Sequence, residues 1–221
     1  VVAHDGDRPL STPLARCDTQ EGPPPGRWMG AALTALGGAL MAGDEVSEEH
    51  LQRLIGQGHD PVTDHPLGSA YRKYPTLTER VRLRTAKLDP YLPITERAEA
   101  VTVIESEEIR KGSRKAVAGF DFTFSIPKSA SVLWAVSDAG TQSLIADAHH
   151  AAVTEMVAFI EREVAATRVG EAGRNGAVAQ VDVTGVIATA FDHYDSRAGD
   201  PHLHTHVVIS NKVQTAQDGR W

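Results

Sequence analysis

The residue patterns of this chain predict an α+β fold, an antiparallel sheet with helices packed against it. Three observations carry that prediction. "GFDFTFS" (119–125) alternates strictly, with Phe120, Phe122 and Phe124 on one side and Asp121, Thr123 and Ser125 on the other. Such a period of two marks a strand with one buried face. "TQSLIADAHHAAVTEMVAFIEREVAAT" (141–167) is a long amphipathic helix, its stripe read as Leu144, Ala148, Ala152, Met156, Phe159 and Glu163. Two strand-like runs then follow, "VDVTGVIATAFDHY" (181–194) and "HTHVVISNKVQ" (204–214), separated by the nine residues "DSRAGDPHL".

The remaining elements follow in chain order. Residues 1–27 are polar and proline-rich ("STP", "EGPPPGR") and read as an extended, loop-like leader to a domain spanning 28–221. Helical periodicity is expected over 28–40. "GDEVSEEHLQRLIGQG" (43–58) reads as a capped helix: Ser47 at the N-cap, acids in the first turn, glycines at the close. Residues 59–98 are punctuated by prolines, with a short helix around 77–86, and "ERAEAVTVIESEEIRKG" (96–112) is acidic and helical. After the strand at 119, Ser125 is a candidate cap and Pro127 suits a first helical turn, leading into the apolar helix "SASVLWAVS". "RVGEAGRNGA" reads as a glycine-rich turn.

Composition narrows the function classes. With 221 residues, 41% hydrophobic and 23% charged, the chain has the make-up of a soluble globular domain with a sizeable core. One cysteine, Cys17, excludes an internal disulfide and a cysteine-rich zinc site, and fits a reducing cytoplasm. No apolar run approaches the roughly 20 residues of a membrane span, so no membrane insertion is expected. A net charge of −7 argues against broad, sequence-blind DNA binding. Positive charge is nevertheless clustered: "YRKYPTLTERVRLRTAKL" holds six and "RKGSRK" four of the 22 lysines and arginines. A solvated charged face is the commoner meaning of such runs.

The chemistry concentrates near "DPHLHTHVVISN" (200–211). Residues i and i+2 of a strand share a face about 7 Å apart, so His204 and His206 project together. His193, at the end of the preceding run, shares a face with Ile187, Thr189 and Phe191 and reaches the pair if the two strands are neighbours. Three neutral imidazoles with open positions make a catalytic type of metal site, and imidazole suits zinc, manganese, nickel or copper. His202, at the loop exit, is read as a rim residue. His149 and His150 lie in the long helix, one of them facing solvent. Asp121, an acid between two phenylalanines, needs a partner: a buried hydrogen-bonding carboxylate, an acid orienting a metal-bound histidine, or a general base.

"GFDFTFSIPKSASVLWAV" together with "FDHYDSRAGDPHLHTHVVISN" resembles the relaxase domain of conjugative plasmids, the MobF (TrwC/TraI-like) type of HUH endonuclease. "PPPGRWMGAAL" and "GDEVSEEHLQRLIGQG" resemble actinobacterial members. The resemblance implies a five-stranded antiparallel sheet covered by helices, with His193, His204 and His206 as ligands of a divalent metal ion (Mg or Mn in function, with Zn or Ni also suited). It implies nicking of one DNA strand at an origin of transfer, by a tyrosine that attacks the scissile phosphate and stays linked to the 5′ end. Asp121 matches the family's acid, and Lys128 and Arg197 fall in matching motifs where they could contact phosphate. The implied partners are the single-stranded DNA of that origin, the relaxosome and the conjugative secretion components.

The family's nucleophilic tyrosine lies near the N-terminus, whereas no tyrosine precedes Tyr71 here. Cys17 and Asp18 stand at about the distance before "PGRW" where relatives carry a tyrosine pair. The expectation is therefore that the nucleophile lies upstream of Val1, that none of Tyr71, Tyr74, Tyr91 and Tyr194 replaces it, and that this chain nicks poorly or not at all. The competing readings are a replication-initiator or transposase-like nuclease of the same fold, a non-catalytic single-stranded DNA-binding remnant, and a cupin-like metallohydrolase with three histidines. The long helix at 141–167 disfavours the last.

Overall fold

The computed structural model describes residues 2–5, 25–36, 40–170 and 178–221. They fall into two compact units, Val1–Ala70 with Val117–Trp221, and Tyr71–Ala116. In the first unit the strands are β1 (Val2–Asp5), β2 (Gly26–Met29), β3 (Glu45–Val46), β4 (Val117–Ser125), β5 (Ala166–Val169), β6 (Ala179–Asp182), β7 (Ala188–Asp195) and β8 (Pro201–Ser210). Six of them form one sheet in the order β1-β4-β8-β7-β2-β3, every pair antiparallel. Five of those strands have four residues or more, and the two-residue β3 adds an edge. The fold class is the expected α+β. β5 and β6 make a separate two-stranded ribbon. Val2–Asp5, read from sequence as part of a loop-like leader, pairs with β4, and the expected domain start at residue 28 falls inside β2.

The helices of the first unit are α1 (Glu48–Leu51, continued by a wider turn over Gln52–Gln57) and, after β4, two more. Ser47 caps α1 as expected, its hydroxyl accepting from the His50 backbone N–H at 3.2 Å. Gly58 closes the element at φ 73°, the left-handed position favoured by glycine. In the second unit, α2 (Leu77–Thr85) and α3 (Ile94–Arg110) form a helical pair. Thr76 and Glu79 cap α2 reciprocally, side chain to backbone in both directions. Glu108 of α3 is 3% exposed and receives Arg80 at 3.0 Å, Arg84 at 2.9 Å and Lys111 at 2.6 Å. Hydrogen bonds from Lys111 and Arg84 hold its carboxyl down to about 2. Three of the ten clustered cations are thus spent on one buried carboxylate.

α4 (Lys128–Val136) and α5 (Ala139–Phe159, extended by a wider turn to Val164) follow β4. α4 begins at Pro127 without a side-chain cap, because Ser125, the expected cap, is still paired in the sheet opposite His204. α5 covers one face of the sheet. Its Val153 and Val157 pack with Met29, Ala188, Ala190, Val207 and Ile209, and Phe122 and Phe124 lie against this cluster. Each buried valine, isoleucine or methionine side chain in this cluster contributes about 1.5–3 kcal/mol relative to exposure. The buried stripe of α5 is therefore His149, Val153 and Val157, one position from the stripe read in sequence; Leu144 is 72% exposed. The helix is apolar on more than one side, so helical spacing alone does not choose the face that meets the sheet.

The other sheet face is only partly covered. Trp28, Thr189, Val208 and Asp121 form one cross-strand row on it, and the first three are buried. Leu54 and Ile55, in the continuation of α1, are buried too, and a Cβ at Gly119 would meet Ile55 at 3.5 Å. At the opposite end of this face Thr123 and Ser125 are exposed.

The helix expected over 28–40 does not form. Trp28 and Met29 belong to β2, and a short 3-10 turn, Ala31–Ala35, follows. Gly30 separates them at φ 102°, where a Cβ would stand 2.1 Å from the Val186 carbonyl oxygen. Glu161 completes this corner, its carboxylate accepting from the Ala31 N–H at 2.6 Å and the Val186 N–H at 2.9 Å. The corner sets where β2 and β7 begin to pair. Replacing Gly30 by alanine combines a left-handed φ with a backbone clash, so a loss of about 2 kcal/mol or more is expected. Urea denaturation of the metal-free protein measures it; a Gly30→Ala variant as stable as the parent would show that this corner tolerates a side chain.

Candidate functional site: three histidines on paired strands

The partly open face of the sheet carries the candidate residues because of strand register. β7 and β8 pair with His193 opposite His204 and Phe191 opposite His206, and β4 pairs with Thr123 opposite His206 and Ser125 opposite His204. The turn over 196–200 closes the β7–β8 hairpin with a Ser196 N–H to Asp200 carbonyl hydrogen bond of 2.8 Å. Gly26 lies where Phe191 needs room: a Cβ there would stand 2.3 Å from the phenylalanine ring.

His193, His204 and His206 come together as a near-equilateral triangle. Ring centroids are 5.1 Å apart for His193–His204, 5.2 Å for His193–His206 and 5.3 Å for His204–His206. Imidazoles sharing one ion at metal–nitrogen distances of about 2.1 Å and tetrahedral angles hold their centroids roughly 5 Å apart. Among the described residues no group of three or more His, Cys, Asp or Glu side chains is placed so that it could hold a metal ion as it stands. By their chemistry the three imidazoles are donors of the type that binds a divalent cation. His204 Nδ1 donates to the His202 carbonyl at 2.7 Å, and His206 Nδ1 lies 3.0 and 3.1 Å from the two Asp121 carboxylate oxygens. With Nδ1 carrying the proton, the Nε2 lone pairs of His204 and His206 are free to bind a cation.

Electrostatics favours the neutral form of His193 and His204. Burial, then the charges of His204 and His206, hold the His193 imidazole below its ordinary range. Burial does the same for His204, opposed by the hydrogen bond to the His202 carbonyl and reinforced by His202 and His206. His202 itself stacks on His204 at 4.6 Å between centroids, half-buried on the same face. The sequence reading placed it at the rim, and the structure puts its ring directly against the triangle.

The other expected residues are distributed around the hairpin. Lys128, at the start of α4, lies 3.5 Å from Asp200. Arg197 is exposed in the turn. Tyr194 stacks on Trp134 at 5.2 Å and 10°. Tyr71, Tyr74 and Tyr91 belong to the second compact unit. Cys17 and Asp18 lie outside the described residues.

Sequence reasoning missed a second group, on the α5-covered face directly behind the triangle. Asp192 stands opposite Thr205 and accepts the Thr205 hydroxyl at 2.6 Å. Thr205 Oγ1 lies 2.8 Å from His149 Nε2. Arg27 of β2 donates to the other Asp192 oxygen, and His150 Nε2 is 3.1 Å from that same oxygen. Burial works to raise the Asp192 carboxyl, but the hydrogen bonds from Thr205 and Arg27 and the charge of Arg27 outweigh it and hold it below the usual range. The available signal was parity: in "ATAFDHYD", Asp192 alternates with Ala188 and Ala190 and so belongs to the helix-covered face.

Three imidazoles, His149, His193 and His204, are held low, burial being the leading cause for each. A histidine whose folded value lies below its unfolded value of about 6.5 binds its proton more readily in the unfolded chain. Stability of the metal-free protein is therefore expected to be full above pH 6.5 and to fall as pH drops below it. Thermal melts between pH 5 and 7.5 without metal check this; a flat profile across that window would contradict the burial-driven shift.

Comparison with known proteins places the chain in a family. A sequence model of the TrwC relaxase family matches residues 17–221. The multifunctional conjugation protein TraI of Escherichia coli is 41% identical over 114 residues, 51% of this chain and 6% of TraI, and TraI of strain K12 is 39% identical over the same length. Among solved structures, the conjugative relaxase TrwC in complex with OriT DNA superposes in its metal-free form with a TM-score of 0.56 at 23% identity, covering 89% of this chain and 51% of that one. The metal-bound form gives 0.55 at 22% identity, with 89% and 50% covered. The chain spans about half the length of these TrwC structures and a small part of TraI. Since the family match runs through both motifs and the whole histidine-bearing hairpin, the chain belongs to the TrwC relaxase family.

Proposed function

We propose that this chain carries the metal-binding half of a relaxase site, acting on single-stranded DNA at a plasmid origin of transfer. The observation that carries the reading is the imidazole triangle with Asp121 behind His206, on the motifs that match the family. His193, His204 and His206 would hold a divalent cation, Mg2+ or Mn2+ in function, with Zn2+ or Ni2+ also suited to imidazole. When bound, the ion would polarise the scissile phosphate and stabilise the charge of the in-line displacement. Asp121 holds the Nδ1 proton of His206, fixing its tautomer and ring plane. Lys128 and Arg197 flank the hairpin turn as phosphate contacts, and phosphate contact positions a strand without reading its bases.

Support for the DNA partner comes from TrwC, whose structures hold OriT DNA in metal-free and metal-bound forms. The partners of this reading are that single strand, the relaxosome and the conjugative secretion components, in the cytoplasm. No helix among the described residues is long and apolar enough to cross a membrane. An actinobacterial type of the family belongs to the same reading, on "PPPGRWMGAAL" and "GDEVSEEHLQRLIGQG". No tyrosine between Val1 and Trp221 is assigned as the nucleophile.

Two measurements test the proposal. Calorimetric titration with Mn2+ and Ni2+ is expected to show one site, weakened at least a hundredfold by His204→Ala or His193→Ala and roughly 10–100-fold by Asp121→Asn. Unchanged affinity in both histidine variants would remove the site assignment. Incubation with origin-like and random single strands should give metal-assisted binding without a covalent protein–DNA adduct. An adduct formed by this chain would show that it contains its own nucleophile. Equal binding with and without metal would favour a non-catalytic DNA-binding module.

A further inference from the structure

The polar group behind the histidine triangle does more than satisfy buried atoms. The triangle occupies two alternate rungs of the β7–β8 ladder, His193 with His204 and Phe191 with His206, and the rung between them is Asp192 with Thr205. That middle rung points to the α5 side and is closed by a side-chain hydrogen bond of 2.6 Å, besides any backbone pairing. Both side chains are buried, Thr205 completely. Two further elements anchor the rung: α5 through His149 at 2.8 Å from the Thr205 hydroxyl, and β2 through Arg27 on the second Asp192 oxygen.

Donors and acceptors in this chain have one consistent arrangement. Arg27 can only donate and the Asp192 carboxylate can only accept. The Thr205 hydroxyl gives its single proton to Asp192, so it accepts from His149, which must then carry its proton on Nε2. A slip of one residue between β7 and β8 would reverse the face of every side chain on the moved strand. It would break the Thr205–Asp192 hydrogen bond and the moved strand's link to its anchoring element, while leaving strand pairing itself available.

We infer that Arg27, Asp192, Thr205 and His149 form a positioning network that fixes the register and spacing of the three histidines from the opposite face of the sheet. They touch neither ion nor DNA; they act through the backbone of the rung that separates the ligands. This inference rests on the metal-site reading above. It goes beyond that reading by assigning four residues to the geometry of the site.

The test uses Co2+, whose visible absorption reports how many ligands surround it, with the full 221-residue chain at a temperature where each variant is fully folded by circular dichroism. Thr205→Val keeps the shape and removes the hydroxyl; Thr205→Ser keeps the hydroxyl. The expected result is a tenfold or greater loss of Co2+ affinity with an altered spectrum in Thr205→Val, and affinity within about threefold of the parent with the parent spectrum in Thr205→Ser, in line with outer-shell effects on metal sites. A purely structural role would lower the melting temperature and leave the spectrum of the folded, loaded protein unchanged. A folded Thr205→Val that binds Co2+ with the parent's affinity and spectrum overturns the inference, as does equal impairment of both variants. Should Thr205→Val not fold, Asp192→Asn decides, with weakened Co2+ binding supporting the network and unchanged binding overturning it. Failure of the unsubstituted chain to bind Co2+ would overturn the metal reading itself, and this inference with it.

Discussion

The pairing of Ala188–Asp195 with Pro201–Ser210 is the constraint on which the rest of the site depends. Antiparallel pairing puts His193 directly opposite His204 and leaves His206 two rungs away on the same face. A single strand sets its same-face side chains in a line, so the triangle needs His193 from the neighbouring strand, 5.1 Å from His204 and 5.2 Å from His206 between centroids. Everything that fixes this register therefore contributes to the site: the turn over 196–200, the corner at Gly30, and the helix on the far face.

The two faces of the same hairpin solve different electrostatic problems. On the open face His193 and His204 are held below the ordinary imidazole range, chiefly by burial, which favours lone pairs available to a cation. On the covered face a carboxylate is kept ionised in spite of burial, because Arg27 and Thr205 satisfy it. Buried charge is tolerated only when paired and hydrogen-bonded, and Asp192 meets that condition through partners on two other elements. Asp121 and Asp192 thus lie on opposite sides of the sheet with different tasks, one behind a single imidazole and the other between two rungs.

Most of the central sheet was legible from alternation. "GFDFTFS" formed a strand with Phe122 and Phe124 against the α5 cluster and Asp121 on the histidine face, and the helices at 77–85 and 94–110 lie within two residues of those expected around 77–86 and over 96–112. The errors share one cause. Over 28–40, helical spacing competed with Gly30, whose positive φ and contact with Val186 are long-range facts. In α5, an Ala-rich helix offered more than one apolar stripe, and only contact with the sheet selected His149, Val153 and Val157. The 181–194 run was read as one strand, but Gly185, at φ 147° against Ala31 and Glu161, divides it. β6 on one side of that break pairs with β5, and β7 on the other joins the main sheet.

Within the candidate site the division is equally physical. The sequence by itself determined which histidines share a face, since parity along a strand depends only on the alternation of side chains. It also marked Asp121 as an acid in need of a partner. Which partner that was, His206 at 3.0 Å, depended on the register between β4 and β8, and register is set by the packing of whole faces and not by either strand alone. The network of Arg27, Asp192, Thr205 and His149 was beyond sequence for the same reason. Its members come from four separate elements, and only the folded sheet with α5 across it brings their polar atoms within hydrogen-bonding distance.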